Sequence, residues 1–344
     1  MWFKKILRSN LLIRIRSWEY WPFLLVYWPV FFYWIWYSIK AKSLFYFTAS
    51  NPGIQNGGML GESKMDILKT LPEELMPRTV FVEPVLPIEH LLKKIANLSY
   101  PVICKPDIGE RGRKVEKIDS PMDLVNYHKQ VLEPYLIQEF ITWKIELGVF
   151  YYRYPNRNKG VVSSIVQKEM LEVIGDGKAT LEELILDYDR AKLQWETLKR
   201  KYKNDLQKVI EKDECKTLVV IGNHSRGTKF LDANHLINPK LTQVFEDISR
   251  RIPGFHFGRF DIKTNSVEDL YNGKLKIMEL NGAGSEPAHI YDPKHSIFYA
   301  YKVILFHWKT LFNISMQNHK QGTPFLSFAE GWSEYKSIRK QQKI

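Results

Sequence analysis

Two segments, "GRFDIKT" (258–264) and "KLKIMELNG" (274–282), constrain this chain more than any other part of it. Each is an apolar strand pattern interrupted at every second position: Arg259 and Asp261 alternate with Phe260 and Ile262, Glu279 and Asn281 with Met278 and Leu280. Successive strand side chains point to opposite faces, so Arg259 and Asp261 share a face, as do Glu279 and Asn281. If the two strands pair across their connecting loop, two carboxylates and a carboxamide converge on one side with an arginine beside them. Such a face suits Mg²⁺, which binds through one or two carboxylates and completes its octahedron with phosphate oxygens and water. Arg259 would neutralise charge developing on a reacting group. An Arg259–Glu279 ion pair on a solvated sheet face accounts for the same stretch, so other signals have to decide.

One such signal is "VICKPDIGERGRKV" (102–115). Lys105 ends an apolar strand and leads into a loop whose Gly109 and Gly112 free the backbone N–H groups to wrap phosphate oxygens. The lysine supplies a flexible point charge for the same ligand. The pattern continues with a strand ("VEKI"), a helix capped by Ser120, and the strands "YLIQEFI", "IELGVFYYRY" and "GVVSSIVQKEM", an α/β (α+β) sandwich pattern. "VIGDGKATLEELI" imitates a P-loop but has Glu172 and Ala179 where that motif needs Gly and Ser or Thr. It reads instead as an Asp176-Gly177 turn and a helix capped by Thr180, with Glu183 completing a capping box. From Leu184 to Val209 apolar residues recur at three- and four-residue steps, giving one or two amphipathic helices with a solvated basic face.

Taken in order, these motifs resemble the ATP-grasp superfamily, in particular its carboxylate–amine ligases of the D-alanine ligase and cyanophycin synthetase types. The resemblance covers about residues 66 to 292. It implies two α+β lobes clamping ATP, an ADP-forming C–N ligase and an acyl-phosphate intermediate. By the same resemblance Asp261, Glu279 and Asn281 bind one or two Mg²⁺ ions, with Mn²⁺ as the alternative, and Arg259 steadies the tetrahedral intermediate. Lys105, Gly109 and Gly112 would hold phosphate, with Lys168 as a second basic phosphate ligand that also serves catalysis. Gln138, Phe140 and Ile141 fall at the hinge that receives adenine, and Glu146 at the ribose carboxylate. "GNHSRGTKFLD" looks like the substrate loop, which nominates Asn223, Ser225 and the catalytic Arg226. His224 and His289 sit in loops near the site as candidate substrate contacts. Only residues 48–65 stand where the family has a domain preceding the grasp, so the substrates, a carboxylate and an amine, are not named by the resemblance. The implied organisation is an N-terminal basic and aromatic segment (1–47), that remnant (48–65), two lobes (66–144 and 145–294) and a helical tail (295–344). An ATP-grasp phosphotransferase and a membrane-associated nucleotide-binding protein without ligase activity are the alternatives.

The N-terminal segment is the least familiar part. "YWPFLLVYWPVFFYWIWYSI" (20–39) is uncharged and about long enough to span a bilayer. Its Trp and Tyr residues favour the membrane–water boundary, and Pro22 and Pro29 would start or kink a helix. Lys4, Lys5, Arg8, Arg14 and Arg16 precede it, which keeps the N-terminus in the cytoplasm; a single span would then export the ATP-dependent lobes. Attachment to the cytoplasmic membrane face through residues 1–47 is the expectation, with a true span or a helix packed on its own domain as alternatives. A net charge of +12 favours anionic partners, but no recognition helix or aromatic–basic platform points to nucleic acid. Cys104 and Cys215 form no CxxC pair, which fits a reducing cytoplasm, with Cys104 a core residue. No histidine spacing suggests zinc. The oligomeric state, a dimer included, stays open.

Overall fold

The computed structural model describes residues 9–109 and 112–342, with side chains through residue 338. Lys4, Lys5 and Arg8 of the basic leader, and Glu110 and Arg111 of the glycine loop, lie outside the described residues.

Among the described residues the strands form two principal sheets in which every pairing is antiparallel, so the α+β reading of the sequence holds. The first sheet has the order β1-β4-β2-β3, built from β1 (Thr79–Val82), β2 (Val102–Pro106), β3 (Glu116–Ile118) and β4 (Tyr135–Glu139). Helices Ile88–Lys94 and Pro121–Gln130 accompany it, and the latter starts where Ser120 Oγ accepts the Asp123 N–H. Their shared core holds Leu91, Val102, Leu124, Ile137 and the thiol of Cys104, fully buried as expected.

The second sheet has the order β11-β10-β5-β6-β9. Its strands are β5 (Ile145–Tyr152), β6 (Val161–Glu169), β9 (Lys229–Asp232), β10 (Phe257–Thr264) and β11 (Lys276–Asn281). Helix Pro239–Arg250 lays Leu241, Phe245 and Ile248 on the face that carries Phe260, Ile262 and Ile277, which leaves the opposite face to the charged residues. Between these strands lies an excursion: a two-stranded antiparallel sheet of β7 (Leu171–Ile174) and β8 (Cys215–Val219), and short helices packed on a small core of their own. Thr180 and Glu183 there form the expected capping box. The single amphipathic run from Leu184 breaks into three short helices spanning Leu181–Asp187, Asp189–Lys192 and Trp195–Lys201.

The uncharged N-terminal run is helical over Phe23–Ala41, with Pro22 at its cap and Pro29 inside it. No helix among the described residues is long and apolar enough to cross a membrane. One face of this helix is core. Val26, Tyr27 and Val30 pack with Ala300 and Ile304, and Tyr37 stacks on Phe312 with ring centroids 4.3 Å apart. Their partner is the long helix Ile297–Lys320, whose buried positions Ala300, Ile304, His307, Leu311 and Ile314 recur at helical spacing. The remnant segment packs as tightly: Ala283 and Gly284 N–H donate to the Gly57 and Gly58 carbonyls at 2.9 and 2.8 Å. A Cβ on Gly282 would lie 2.4 Å from the Gly57 oxygen, so a side chain there would prise the segment off the end of β11.

Candidate active site

The floor of the site is the charged face of the second sheet. Strands β10 and β11 pair with Asp261 directly opposite Glu279 and Arg259 opposite Asn281, the convergence read from the alternation. On the other side of β10, Lys263 stands opposite Glu146 and Asp261 opposite Gly148. A Cβ at Gly148 would sit 3.1 Å from both Asp261 Oδ1 and Arg259 Cδ, so glycine there makes room for the ion pair. Arg259 Nε donates to Asp261 Oδ1 at 2.8 Å, and Lys168 Nζ bridges Glu146 Oε1 at 3.0 Å and Asp261 Oδ2 at 3.4 Å. Burial pushes the Asp261 carboxyl up, but the charges of Arg259 and Lys168 outweigh it and hold the group below its ordinary value. The ion pair on the floor is therefore Arg259–Asp261 rather than Arg259–Glu279, and with Asp261 only 6% exposed it does not lie on a solvated face. Among the described residues no hydrogen bond or ion pair engages the Glu279 carboxylate.

The first sheet supplies the roof. Lys105, at the end of β2, reaches across the cleft: its Nζ donates to Gln138 Oε1 at 3.0 Å and to the Met278 carbonyl of β11 at 3.1 Å. Burial pulls its ammonium down to about 8, with Glu279 acting in the opposite sense. Gln138 is buried, with its amide spent on Lys105 and Thr79 Oγ1, so it orients the lysine. Gln138, Phe140 and Ile141 all line the cleft. The Phe140 ring lies under Lys263 Nζ at 5.2 Å, and the Ile141 carbonyl accepts from the same ammonium at 2.8 Å. Lys263 was not anticipated, although it is the next outward-facing position after Asp261.

The glycine loop is held from both sides. Lys64 Nζ donates to the carbonyls of Asp107 and Gly109 at 3.2 and 2.6 Å. Arg226 donates to the carbonyls of Gly112 and Val115. Its guanidinium thereby latches the loop, and Arg226 is not among the residues that line the cleft. Gly112 adopts φ +70°, and a Cβ there would crowd Asn223 Nδ2 at 2.9 Å. Asn223 itself caps the turn, its Oδ1 accepting from Ser225 N–H and Oγ.

His224 is engaged by the N-terminal segment. Its Nε2 hydrogen-bonds Glu19 Oε2 at 2.8 Å, and Arg190 Nη2 donates to both Glu19 oxygens at 2.8 Å. Trp18 stacks on Tyr291 and donates its indole N–H to the His295 carbonyl. His289 is buried, with Nδ1 2.6 Å from Ser164 Oγ and Nε2 3.1 Å from Tyr299 Oη. Both histidines, candidates for substrate contact from sequence, thus have structural partners. Glu286, in the loop after β11, carried no sequence signal. Arg259 Nη1 donates to its carbonyl at 3.2 Å, Tyr291 Oη donates to its carboxylate at 2.9 Å, and burial pushes that carboxyl up to about 7.

Roof, floor and N-terminal segment enclose one cavity of about 1710 Å³. Ligand pockets typically measure about 300–1,000 Å³, so this one has room for a nucleotide and further substrate. Among the described residues no cluster of three or more His, Cys, Asp or Glu side chains forms a self-sufficient metal site. Two facing carboxylates and a carboxamide fit Mg²⁺, which needs only one or two protein carboxylates when phosphate supplies the remaining oxygens.

Facing antiparallel sheets, a latched glycine loop and the GRFD/MELN register are the features that the ATP-grasp resemblance implies. No family model and no curated protein sequence matches the chain. Among solved structures it is similar to D-alanine–D-alanine ligase from Bacillus anthracis, at 12% identity and TM-score 0.40 over 75% of this chain and 67% of that one. It is similar to VanG D-Ala:D-Ser ligase from Enterococcus faecalis, at 15% identity and TM-score 0.42 over 73% of this chain and 61% of that one. A bifunctional glutathione synthetase from Pasteurella multocida matches at 15% identity and TM-score 0.35, over 71% of this chain and 35% of that one. What the site can do is read from its own residues.

Proposed function

We propose that the chain is an ATP- and Mg²⁺-dependent carboxylate–amine ligase. A substrate carboxylate attacks the γ-phosphorus, forming an acyl phosphate and releasing ADP; an amine then adds to the acyl carbon, phosphate leaves, and an amide remains. The observation that carries this reading is the Asp261–Glu279 cross-strand pair with Arg259 beside it, facing Lys105 from the other sheet. Asp261, Glu279 and Asn281 would hold the metal, which supplies charge neutralisation on the phosphates. Lys105, Lys168 and the Gly109–Gly112 loop position the triphosphate, and Phe140, Ile141 and Lys263 border the adenine. Catalysis of this kind is mainly positioning and electrostatics. Arg259 stabilises the oxyanion that develops at the acyl carbon. Glu286, next to Arg259, takes the proton that the amine must lose.

The test is ADP release by the purified chain with Mg²⁺-ATP and paired carboxylate and amine panels. Glu279→Gln should lower turnover at least a hundredfold and leave the unfolding midpoint unchanged or raised, because it relieves repulsion from Asp261. Near-normal turnover in that variant would refute the metal assignment, and ADP formation with phosphate transfer but no amide would favour the phosphotransferase.

We also propose that the outer face of helix Phe23–Ala41 rests on an anionic lipid surface. Leu24, Trp28, Phe32, Ile35, Trp36 and Ile39 are exposed there, with Arg14, Arg16, Lys40 and Lys42 exposed at its ends. Such a face gains from apolar burial and from attraction to acidic headgroups. Deleting residues 1–47 would remove core side chains, so the sound variant is Trp28→Glu with Phe32→Glu. Flotation with anionic vesicles should fall severalfold in that variant; equal flotation of both proteins would overturn the lipid assignment.

A further inference from the structure

The cavity continues past Arg259. Along the cleft face of β10 the order is Lys263, Asp261, Arg259, Phe257, so chemistry grades from nucleotide end to metal ligands to oxyanion contact to an apolar ring. At a rise of about 3.4 Å per residue, Phe257 lies about 7 Å beyond Arg259, on the side away from the adenine border. It packs edge-on to Phe150 at 4.9 Å, and the cavity wall beyond it comes from the two packed helices. Val26, Val30 and Trp34 line it from one helix, Ile304, Trp308 and Leu311 from the other. Steps of three and four residues place each trio on one helical face. Phe23 and Phe31 line the same cavity yet are 46% and 40% exposed, so the apolar limb opens at the surface beside Leu24, Trp28 and Phe32.

A small polar acceptor would gain nothing from such a limb. An apolar chain threading it is obliged by the strand's polarity to present its polar end at Arg259. We infer that one substrate of this ligase is an amphiphile, with its carboxylate or amine head at Arg259 and a single apolar chain in the limb between helices Phe23–Ala41 and Ile297–Lys320. This rests on the ligase reading of the site, which it deepens by naming a substrate class.

The test measures binding of N-acetyl-, N-hexanoyl- and N-decanoylglycine to the full chain by calorimetry, with hexylamine and decylamine as the amine arm. Full burial of the chain predicts affinity rising by up to about fourfold per methylene for the head that fits. Val30→Trp, which fills the limb, and Phe31→Arg, which charges its mouth, should each weaken the decanoyl or decyl probe at least tenfold while ATP affinity stays the same. Phe31→Arg keeps the test sound if Val30→Trp does not fold. Chain-length-independent affinity for both heads, or undiminished decanoyl and decyl binding in the variants, overturns the proposal. ADP release separates the two readings. If N-acetylglycine with hexylamine drives release as fast as either N-decanoylglycine with hexylamine or N-acetylglycine with decylamine, the ligase stands and the amphiphile falls. Chain-length-dependent binding that both variants abolish, without release for any amine, upholds the limb as an amphiphile site and sinks the ligase.

Discussion

Glu19→Gln removes one charge where three distant segments meet. Glu19 and Arg190 side chains are each 6% exposed, joined by two 2.8 Å contacts, with His224 Nε2 2.8 Å from the same carboxylate. Unit charges about 4 Å apart attract by about 4 kcal/mol at an effective dielectric near 20. Breaking a buried pair from one side costs about 3–5 kcal/mol, because the surviving charge stays desolvated. Urea unfolding followed by Trp fluorescence should therefore show a loss of about 3–5 kcal/mol at neutral pH. The effect depends on pH with a definite sign. Burial pushes the Glu19 carboxyl up, but the His224 hydrogen bond and the Arg190 charge together hold it below its ordinary 4.5. A depressed folded pKa contributes stability above the unfolded value that is lost as pH falls through the folded one, so wild type and variant should converge in strong acid. Glu19→Gln with Arg190→Met removes the stranded cation and should recover part of the loss. A single variant within about 0.5 kcal/mol of wild type, or a double variant no better than the single, would refute the reasoning.

Two further perturbations address the cleft. Gly222→Ala would bring a Cβ to 2.4 Å from Glu146 Oε1 and 3.0 Å from Lys168 Cδ, so the Glu146–Lys168 pair must shift; the apparent KM for ATP should rise severalfold with little change in unfolding midpoint. Glu286 has its carboxyl pushed up to about 7 by burial, so kcat should fall as pH drops through about 7, and Glu286→Gln should flatten that limb of the profile. In stability the same shift acts in the other direction: the advantage of the protonated form is lost as pH rises through about 7, and Glu286→Gln should gain up to about 3 kcal/mol on wild type above it.

What the sequence disclosed is what period and local chemistry encode. Arg259, Asp261, Glu279 and Asn281 declare their common face through strand alternation, and the observed register pairs them directly, with a bulge only beyond Asp261. Thr180 and Glu183 declare a helix start because a capping box is complete within four residues. The hydrogen bonds of Gln138 were not legible, because its family position says nothing of them: Lys105 and Thr79 engage its amide, and both come from neighbouring strands. Glu19 carried no signal because its counter-charges lie 171 and 205 residues along the chain, and no periodicity links a buried ion pair across such separations. The uncharged N-terminal run was ambiguous for a related reason. Uniform hydrophobicity hides which face is core, and only the partner helix at Ile297–Lys320 decides that Val26 and Val30 face inward while Trp28 and Phe32 face out.

The charge balance of the strands bears on how many metal ions the proposed reaction needs. Lys105, Lys168, Arg259 and Lys263 set four cations against the carboxylates of Glu146, Asp261 and Glu279 on the strands that border the cleft, one positive charge in excess. Two of those cations, Arg259 and Lys168, are already engaged by Asp261. A nucleoside triphosphate brings about four negative charges, so the strands alone leave a deficit of about three, which divalent ions on the phosphate oxygens would offset. One Mg²⁺ leaves the deficit near one charge, and two remove it. On this count Glu279 matters more than Asp261: among the described residues it is the carboxylate that enters metal binding without first giving up an ion pair. Glu279→Gln should therefore lose more metal affinity than Asp261→Asn, which Mn²⁺ titration in the presence of ADP would measure, and equal losses would mean that the Arg259–Asp261 pair costs nothing to open.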